Sequence, residues 1–174
     1  MQYQPEPKRY APDAIHLIRT TQQIQVQLSA MADAKASILM GATFVVFTIT
    51  LNQTSKGWVA PEMLVLAGFA MMSAALAVMA VLPAVKPKAG APLNLLFFGS
   101  FTQLDQEDYI ERLVDELRDE ESVYRTMARD IYQNGSVLRW KKYRYLALSY
   151  RTFLTGMLLT VLTFAVDRLH LIHL

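Results

Sequence analysis

Charged residues are absent from three apolar stretches of the chain. The stretches occupy residues 36–55, 63–85 and 152–166. A helix needs about 20 mostly apolar residues to cross a bilayer, so the first two are long enough. The third needs flanking residues such as Tyr150 and Arg151, with their polar ends at the interface. Because backbone amides in lipid must be satisfied internally, all three stretches are predicted to be helices.

The pattern predicts an all-α integral membrane protein with three transmembrane helices and a cytoplasmic helical bundle or hairpin. We divide the chain into a disordered N-terminus (1–12), a cytoplasmic helix (13–35) continuous with the first span (36–55), a second span (63–85), a linker with an aromatic segment (86–104), a cytoplasmic helical hairpin (105–149) and a third span (150–168).

Lysine and arginine are distributed unevenly around the spans. Four precede the first span, Lys56 alone lies in the first loop, eleven lie between Lys86 and Arg151, and Arg168 alone follows the third span. Positive residues stay cytoplasmic, so the protein is predicted to be multi-pass, with its N-terminus inside and its C-terminus outside. If the third stretch were instead a buried soluble helix, the C-terminus would lie inside.

Composition excludes several classes. Hydrophobic residues make up 53% of the chain, and the net charge of +2 is no nucleic-acid-binding signature. The chain has no cysteine. It also lacks a nucleophile–base set and the polar residues within the spans that an intramembrane enzyme would need. Asp167, His170 and His173 are spaced for weak metal binding, but polar residues at a helix end explain them better. We therefore predict no catalytic residue, metal or cofactor.

The N-terminal segment predicts a helix from about Ala14 to about Leu51, with Asp13 as its N-cap. Apolar positions in it alternate at spacings of four and three, as in a coiled coil, and the cytoplasmic half of the helix should therefore pack on another helix. The stripe consists of Leu17, Thr21, Ile24, Leu28, Met31, Lys35 and Ile38; the opposite face carries Gln22, Gln25 and Gln27.

The later cytoplasmic segment predicts an amphipathic helix that starts at Asp105, in the position of a cap. Its apolar stripe is interrupted by Glu120 and Glu121, and its other face is acidic. Asn134-Gly135 predicts the end of this helix, and a last helix then leads through Trp140 into the third span.

Two charged features lie at the membrane entrance. Asp33 and Lys35 are two residues apart, so they point to different faces of the helix and need separate partners. Five cations without an acid among them precede or enter the third span: Arg139, Lys141, Lys142, Arg144 and Arg151. The cluster indicates either positive-inside anchoring or a role in binding an anionic ligand or in pairing with Asp33.

Three motifs resemble the transmembrane effector family of Pycsar antiphage systems, in an order and spacing that cover the chain from about Asp13 to Asp167. They are Met31-Ala32-Asp33-Ala34-Lys35-Ala36-Ser37-Ile38-Leu39, then Phe98-Gly99-Ser100-Phe101 followed by Leu104 and Tyr109, and then Leu138-Arg139-Trp140-Lys141-Lys142-Tyr143-Arg144.

The resemblance implies an effector in the bacterial inner membrane, encoded beside a pyrimidine cyclase. Infection triggers the second messenger cUMP or cCMP, and the effector impairs the membrane, so that the cell arrests or dies. An alternative is a passive membrane scaffold whose cytoplasmic hairpin holds a soluble partner; a neighbouring cyclase gene favours the effector.

A cyclic nucleotide offers a negative phosphate, which suits arginine or lysine, and a base that stacks on aromatic side chains. Aromatic residues in a bundle core are the simpler explanation for any single ring, and the Phe97–Phe101 segment also suits a wedge lying on lipid headgroups. The predicted ligand residues are Arg129, Arg139, Lys142 and Arg144, with Phe98, Phe101, Tyr124, Tyr132 and Trp140.

Small residues recur along the second span at spacings of three and four. Such a stripe lets membrane helices approach closely, and it predicts either the seam of a homo-oligomer or packing against another span of the same chain. The stripe consists of Ala67, Ala70, Ala74, Ala77, Val81 and Ala84.

The predicted topology can be tested by cysteine labelling, because the chain has no cysteine of its own. In intact spheroplasts, Ser55→Cys and Leu174→Cys should react with a membrane-impermeant thiol reagent, because both positions are expected outside. Ser122→Cys should stay unlabelled, and its labelling would overturn the topology.

Overall fold

The structure is a computed structural model that describes residues 10–54, 60–83 and 90–172. All its regular elements in these ranges are helical, which confirms the all-α class. In chain order they are α1 (Ala14–Thr54), α2 (Pro61–Val81), α3 (Phe98–Phe101), α4 (Gln106–Glu116), α5 (Glu120–Val137), a π-helix (Leu138–Tyr143) and α6 (Arg144–Ile172). Most of the predicted disordered N-terminus lies outside the described residues.

Three helical stretches are long and apolar enough to cross a membrane: Ala14–Gln53, Pro61–Val81 and Glu120–Leu169. Their large apolar side chains, such as Phe44, Leu64 and Leu158, are mostly exposed. A protein in water would have to bury such surface, whereas lipid is a good solvent for it. The predicted single helix that runs from Ala14 into the first span is confirmed.

The chain divides into two compact units. The hairpin unit comprises residues 1–27 and 84–135, and the span unit comprises residues 28–83 and 136–174. Because α1 and α5 each continue from one unit into the other, the boundaries fall inside helices.

Small residues form the core of the span unit. Helix α2 packs along α6, and the buried cluster consists of Ala32, Ala36, Ala77, Ala80 and Leu146. In lipid, helices associate through close packing and interhelical hydrogen bonds, because lipid tails are as apolar as the side chains. Alanine suits this packing, since it lets the backbones approach.

A reciprocal pair of hydrogen bonds joins α2 and α6. The Ser73 hydroxyl donates to the backbone carbonyl of Ser149 over 2.9 Å, and the Ser149 hydroxyl donates to the carbonyl of Ser73 over 2.6 Å. Both serines are fully buried. The pair therefore satisfies two hydroxyl groups in an apolar setting and fixes the register of the two helices.

The single helix predicted from Asp105 to Asn134-Gly135 is divided into two helices in the hairpin unit. Helix α4 ends at Glu116 and α5 begins at Glu120. Asp119 caps α5, because its carboxylate accepts from the backbone N–H of Ser122 over 2.9 Å. Asp105 occupies the N-cap position of α4 as predicted, but its side chain makes no capping hydrogen bond.

The predicted helix end at Asn134-Gly135 is wrong, because α5 continues through both residues. The Asn134 amide donates to the Asp130 carboxylate one turn earlier, over 3.0 Å. Gly135 makes room for a neighbour: a Cβ placed there would lie 3.2 Å from the side-chain nitrogen of Gln25. Both residues thus serve packing rather than termination.

The prediction that the cytoplasmic half of α1 packs on another helix is confirmed within the hairpin unit, but the contact uses its polar face rather than its apolar stripe. The polar face of α1 makes the observed contacts with α5: Gln22 donates to the Asp130 carboxylate over 3.2 Å, and Gln25 donates to the Ile131 carbonyl over 3.0 Å. The stripe residues Leu17 and Ile24 are exposed.

Gly156 provides a test of the close approach between α2 and α6. A Cβ at this position would lie 2.3 Å from Phe69 Cβ, an atom fixed to the backbone of α2. Gly156→Ala should therefore force the helices apart and cost about 1–3 kcal/mol, the usual range for overpacking. The readout is the melting temperature in detergent, taken as the temperature at which the monodisperse size-exclusion peak is lost. We expect this temperature to be lower for Gly156→Ala than for the parent.

Gly68→Ala on α2 is the matched control, because nothing lies within 4 Å of its added methyl group. This variant should keep the melting temperature of the parent or exceed it, since alanine favours the helix. Equal melting temperatures for Gly156→Ala and Gly68→Ala would contradict the close contact.

Candidate functional site

Lys142 is the partner of Asp33 at the membrane entrance. Its Nζ lies 2.8 Å and 2.7 Å from the two carboxylate oxygens of Asp33 and 2.7 Å from Ser29 Oγ. The Lys142 side chain is only 16% exposed. The ammonium group has three donors, and all three are used here. The structure thus selects one of the five nearby cations as the partner of Asp33.

Two tyrosines extend this contact along α1. The Tyr143 hydroxyl donates to the backbone carbonyl of Leu28 over 3.2 Å, and the Tyr150 hydroxyl donates to that of Lys35 over 3.1 Å. The Lys35 side chain itself is exposed. The Lys142–Asp33 pair thus joins the first motif to the third directly, and the two tyrosines add contacts at and just after the third motif.

The third motif coincides with the π-helix, a wide form of turn often found at functional sites. The Arg139 guanidinium lies 4.8 Å from the centre of the exposed Trp140 ring. Lys141 Nζ lies 3.3 Å from the Pro83 carbonyl. Arg144 follows directly and is exposed. Within the described part of the chain, neither Arg139 nor Arg144 forms an ion pair with a carboxylate.

The other predicted ligand residues lie in the hairpin unit. The Phe101 ring stacks on Tyr109 with centroids 4.7 Å apart, so one of its faces is already covered. Phe98 and Tyr132 are exposed, whereas Arg129 is half-buried. The Tyr124 ring contacts Tyr10, and its hydroxyl lies 3.1 Å from a Glu120 carboxylate oxygen.

A buried polar cluster in the hairpin unit was missed by the sequence reasoning. Asn94 is 1% exposed, and its amide lies 3.1 Å from both the Asp130 carboxylate and the Gln133 side-chain oxygen. Asp130 is also buried and accepts from Gln22 and Asn134. A lone aspartate amid the apolar positions of α5 was the available signal.

This cluster serves to anchor the linker. The Asn94 oxygen accepts from the Leu96 backbone N–H over 2.9 Å, and the Asn94 backbone N–H donates to Ser100 Oγ over 3.0 Å. Buried amides and carboxylates are tolerated when their hydrogen bonds are satisfied. The linker and α3 are thus held on α5 by polar contacts, and the second motif, which contains Ser100, takes part in them.

The remaining predicted sites are placed as follows. Ala70 and Ala77 are fully buried inside the span unit and Ala67 and Ala74 are half-buried, while Ala84 lies outside the described residues. Packing within the chain thus accounts for the two buried alanines, and the oligomer seam stays a prediction. The described ranges hold no group of three acidic or histidine residues suited to a metal; the side chains of His170 and His173 lie outside them.

Comparison with known families bears directly on these motifs. A family model described as the Pycsar effector protein domain matches residues 16–167, a range that holds all three motifs. No curated protein and no solved structure matches the chain.

The matched family consists of transmembrane effectors rather than cyclases, and it implies an antiphage role beside a cyclase partner. The three apolar helices agree with a membrane protein. Since the match covers most of the chain, the protein belongs to the Pycsar effector family.

Proposed function

We propose that the protein senses cUMP or cCMP made by a partner cyclase, assembles into a homo-oligomer and impairs the bacterial inner membrane. Growth arrest or abortive infection follows. The observation that carries the proposal is the family match over a chain with three apolar helices. In the proposed topology the N-terminus is cytoplasmic, where a nucleotide made in the cell can reach the basic cluster.

The proposed nucleotide site is the exposed part of the third motif. Arg139 and Arg144 offer guanidinium groups without carboxylate partners among the described residues. Arginine suits a phosphodiester because its planar donors fit two oxygens at once. The exposed Trp140 ring lies beside Arg139 and offers a surface on which a base can stack.

Lys142 has a different role in this proposal. Its three donors already face Asp33 and Ser29, so it holds the π-helix on α1 rather than binding the phosphate. Arg129, Phe98, Phe101 and Tyr132 belong to the hairpin unit, and we propose them as a separate candidate set for the ligand.

Assembly is part of the proposal because of the size of the chain. Three membrane helices enclose no pore, so a lone subunit offers no route for ions or water. Several copies packed side by side can disturb the bilayer or line an opening, and close contact in lipid depends on packing between helices.

Isothermal titration of the detergent-solubilised protein with cUMP, cCMP, cAMP and cGMP tests the sensing step. We expect one pyrimidine nucleotide to bind more tightly than either purine nucleotide. The double variant Arg139→Ala/Arg144→Ala should bind it at least tenfold more weakly, since the loss of a single charge-assisted contact costs roughly 1.5–3 kcal/mol, about tenfold to a hundredfold in affinity.

Arg118→Ala is the control for loss of an exposed arginine outside the third motif. It should bind like the parent protein. Parental affinity in the Arg139/Arg144 double variant would place the site elsewhere, and Arg129→Ala would then be measured. Binding of none of the four nucleotides would favour the scaffold alternative.

Lys142→Met should reduce stability without reducing nucleotide affinity. The change leaves the half-buried Asp33 carboxylate without its cation, which we expect to cost about 1–3 kcal/mol. The readouts are the melting temperature in detergent and the same titration.

The double variant Asp33→Asn/Lys142→Met removes both charges and should recover part of the lost stability. A Lys142→Met protein that melts like its parent but binds nucleotide at least tenfold more weakly would show that Lys142 contacts the ligand.

A further inference from the structure

The cytoplasmic half of α1 carries an uncovered apolar stripe. Leu17 is 71% exposed, Ile24 50%, Leu28 37% and Met31 44%. These positions are separated by seven, four and three residues, so they line one side of the helix. Large apolar side chains in a row outside the membrane mark a surface that a partner covers.

The stripe is open because α1 uses its other side for contacts within the chain. Gln22 and Gln25 bond to α5 in the hairpin unit. In the span unit, Ala32 and Ala36 are buried in the core. The apolar positions that follow the coiled-coil spacing are thus left for an outside partner.

We propose that a second copy of this chain covers the stripe, so that two α1 helices pair side by side in parallel. The inference deepens the proposed function and rests on it, because it places the contact of the proposed homo-oligomer on α1. It moves that contact away from the alanine stripe of α2, whose members Ala70 and Ala77 are already buried within one chain.

The membrane supplies the geometry for such pairing. All copies insert in the same orientation, so their α1 helices run parallel. Each α1 enters its apolar span at the same residue, so equivalent positions of two copies lie at the same height. Apolar residues spaced alternately three and four positions apart are typical of parallel coiled coils of identical helices. In such a pair each stripe position packs against the same position of the other copy.

Charge makes a second copy a suitable occupant. No residue between Arg19 and Asp33 is charged, so two identical stripes meet over this segment without like-charge repulsion. Lys35 is the next stripe position, and its exposed side chain is long enough to carry the charge to the membrane interface, away from its counterpart. The absence of lysine and arginine from this segment also removes the usual attraction to anionic lipid headgroups.

The stripe also continues beyond the cytoplasmic segment. Ile38, Val45 and Ile49 keep the same spacing farther along α1, and all are exposed. A contact that starts at Leu17 can therefore extend into the span without changing faces.

Disulfide crosslinking in isolated membranes tests the proposal directly, because the chain has no cysteine to compete. Ile24→Cys should form a disulfide-linked dimer on mild oxidation, since counterparts at a contact position lie within bonding range. Val26→Cys is the control: Val26 is 70% exposed on the same helix but points to another side. We expect at least tenfold less dimer for it.

A second pair of variants tests the contact by charge. Ile24→Glu in one protein and Val26→Glu in another add the same charge to exposed positions, so neither should disturb the single chain. Chemical crosslinking through lysines should lose its dimer band at least tenfold in Ile24→Glu and keep it in Val26→Glu. Equal bands in the two variants, or equal disulfide dimer at positions 24 and 26, would overturn the proposal. A crosslinked product with a different protein would do so as well.

The crosslinking is carried out both without nucleotide and with cUMP or cCMP. The α1 contact and the nucleotide-sensing step can then be contradicted independently of each other. Dimer at position 24 in a protein that binds no nucleotide supports the α1 contact and contradicts the sensing step. Tight nucleotide binding with no preference for position 24 contradicts the α1 contact alone.

Discussion

Helices in lipid gain nothing from hiding apolar surface against one another, and this constraint shapes the span unit. Packing therefore depends on how closely two backbones approach and on hydrogen bonds between them. Helices α2 and α6 meet both needs: Ser73 and Ser149 exchange hydrogen bonds, and Gly156 leaves room for Phe69. Alanine surrounds the serines for the same reason. The bulky apolar residues of these helices point outward, where the acyl chains take the place of a protein core.

Helix α1 joins this pair through the buried Ala32 and Ala36 and through polar contacts at the membrane entrance. Lys142 holds Asp33 and Ser29, while Tyr143 and Tyr150 bond to backbone carbonyls of α1. Of the proposed ligand contacts, Arg139 and Trp140 lie on the same π-helix as Lys142, and Arg144 follows it directly. A phosphate bound to Arg139 would lie three residues along the chain from Lys142, which pairs with Asp33 of α1.

Much of the fold could be predicted because length, charge and apolar runs are local properties. The extent of α1 and the three apolar helices follow from them. The errors came from contacts distant in sequence. Asn134-Gly135 reads as a helix end until Asp130 and Gln25 are placed beside it. The need of Asp33 for a cationic partner could be inferred from the sequence. Identifying Lys142 among the five nearby cations required the three-dimensional structure. The buried Asn94 cluster joins a linker to a helix through side chains that are distant in sequence, and Asp130 was its only signal.

The π-helix changes the angle around the helix axis between the buried residues on either side of it in the span unit. Leu138 and Leu146 are both buried although they are eight residues apart, which in an ideal α-helix would separate them by about 80° around the axis. A π-helical turn takes up roughly one additional residue, and the separation falls to about 20°. The segment thus behaves as a one-residue insertion that realigns two halves of an apolar face. A chain lacking one residue between positions 138 and 143 could therefore form an uninterrupted α-helix with the same two leucines still about 20° apart, whereas the full sequence wound as an α-helix would present Leu138 to the wrong side.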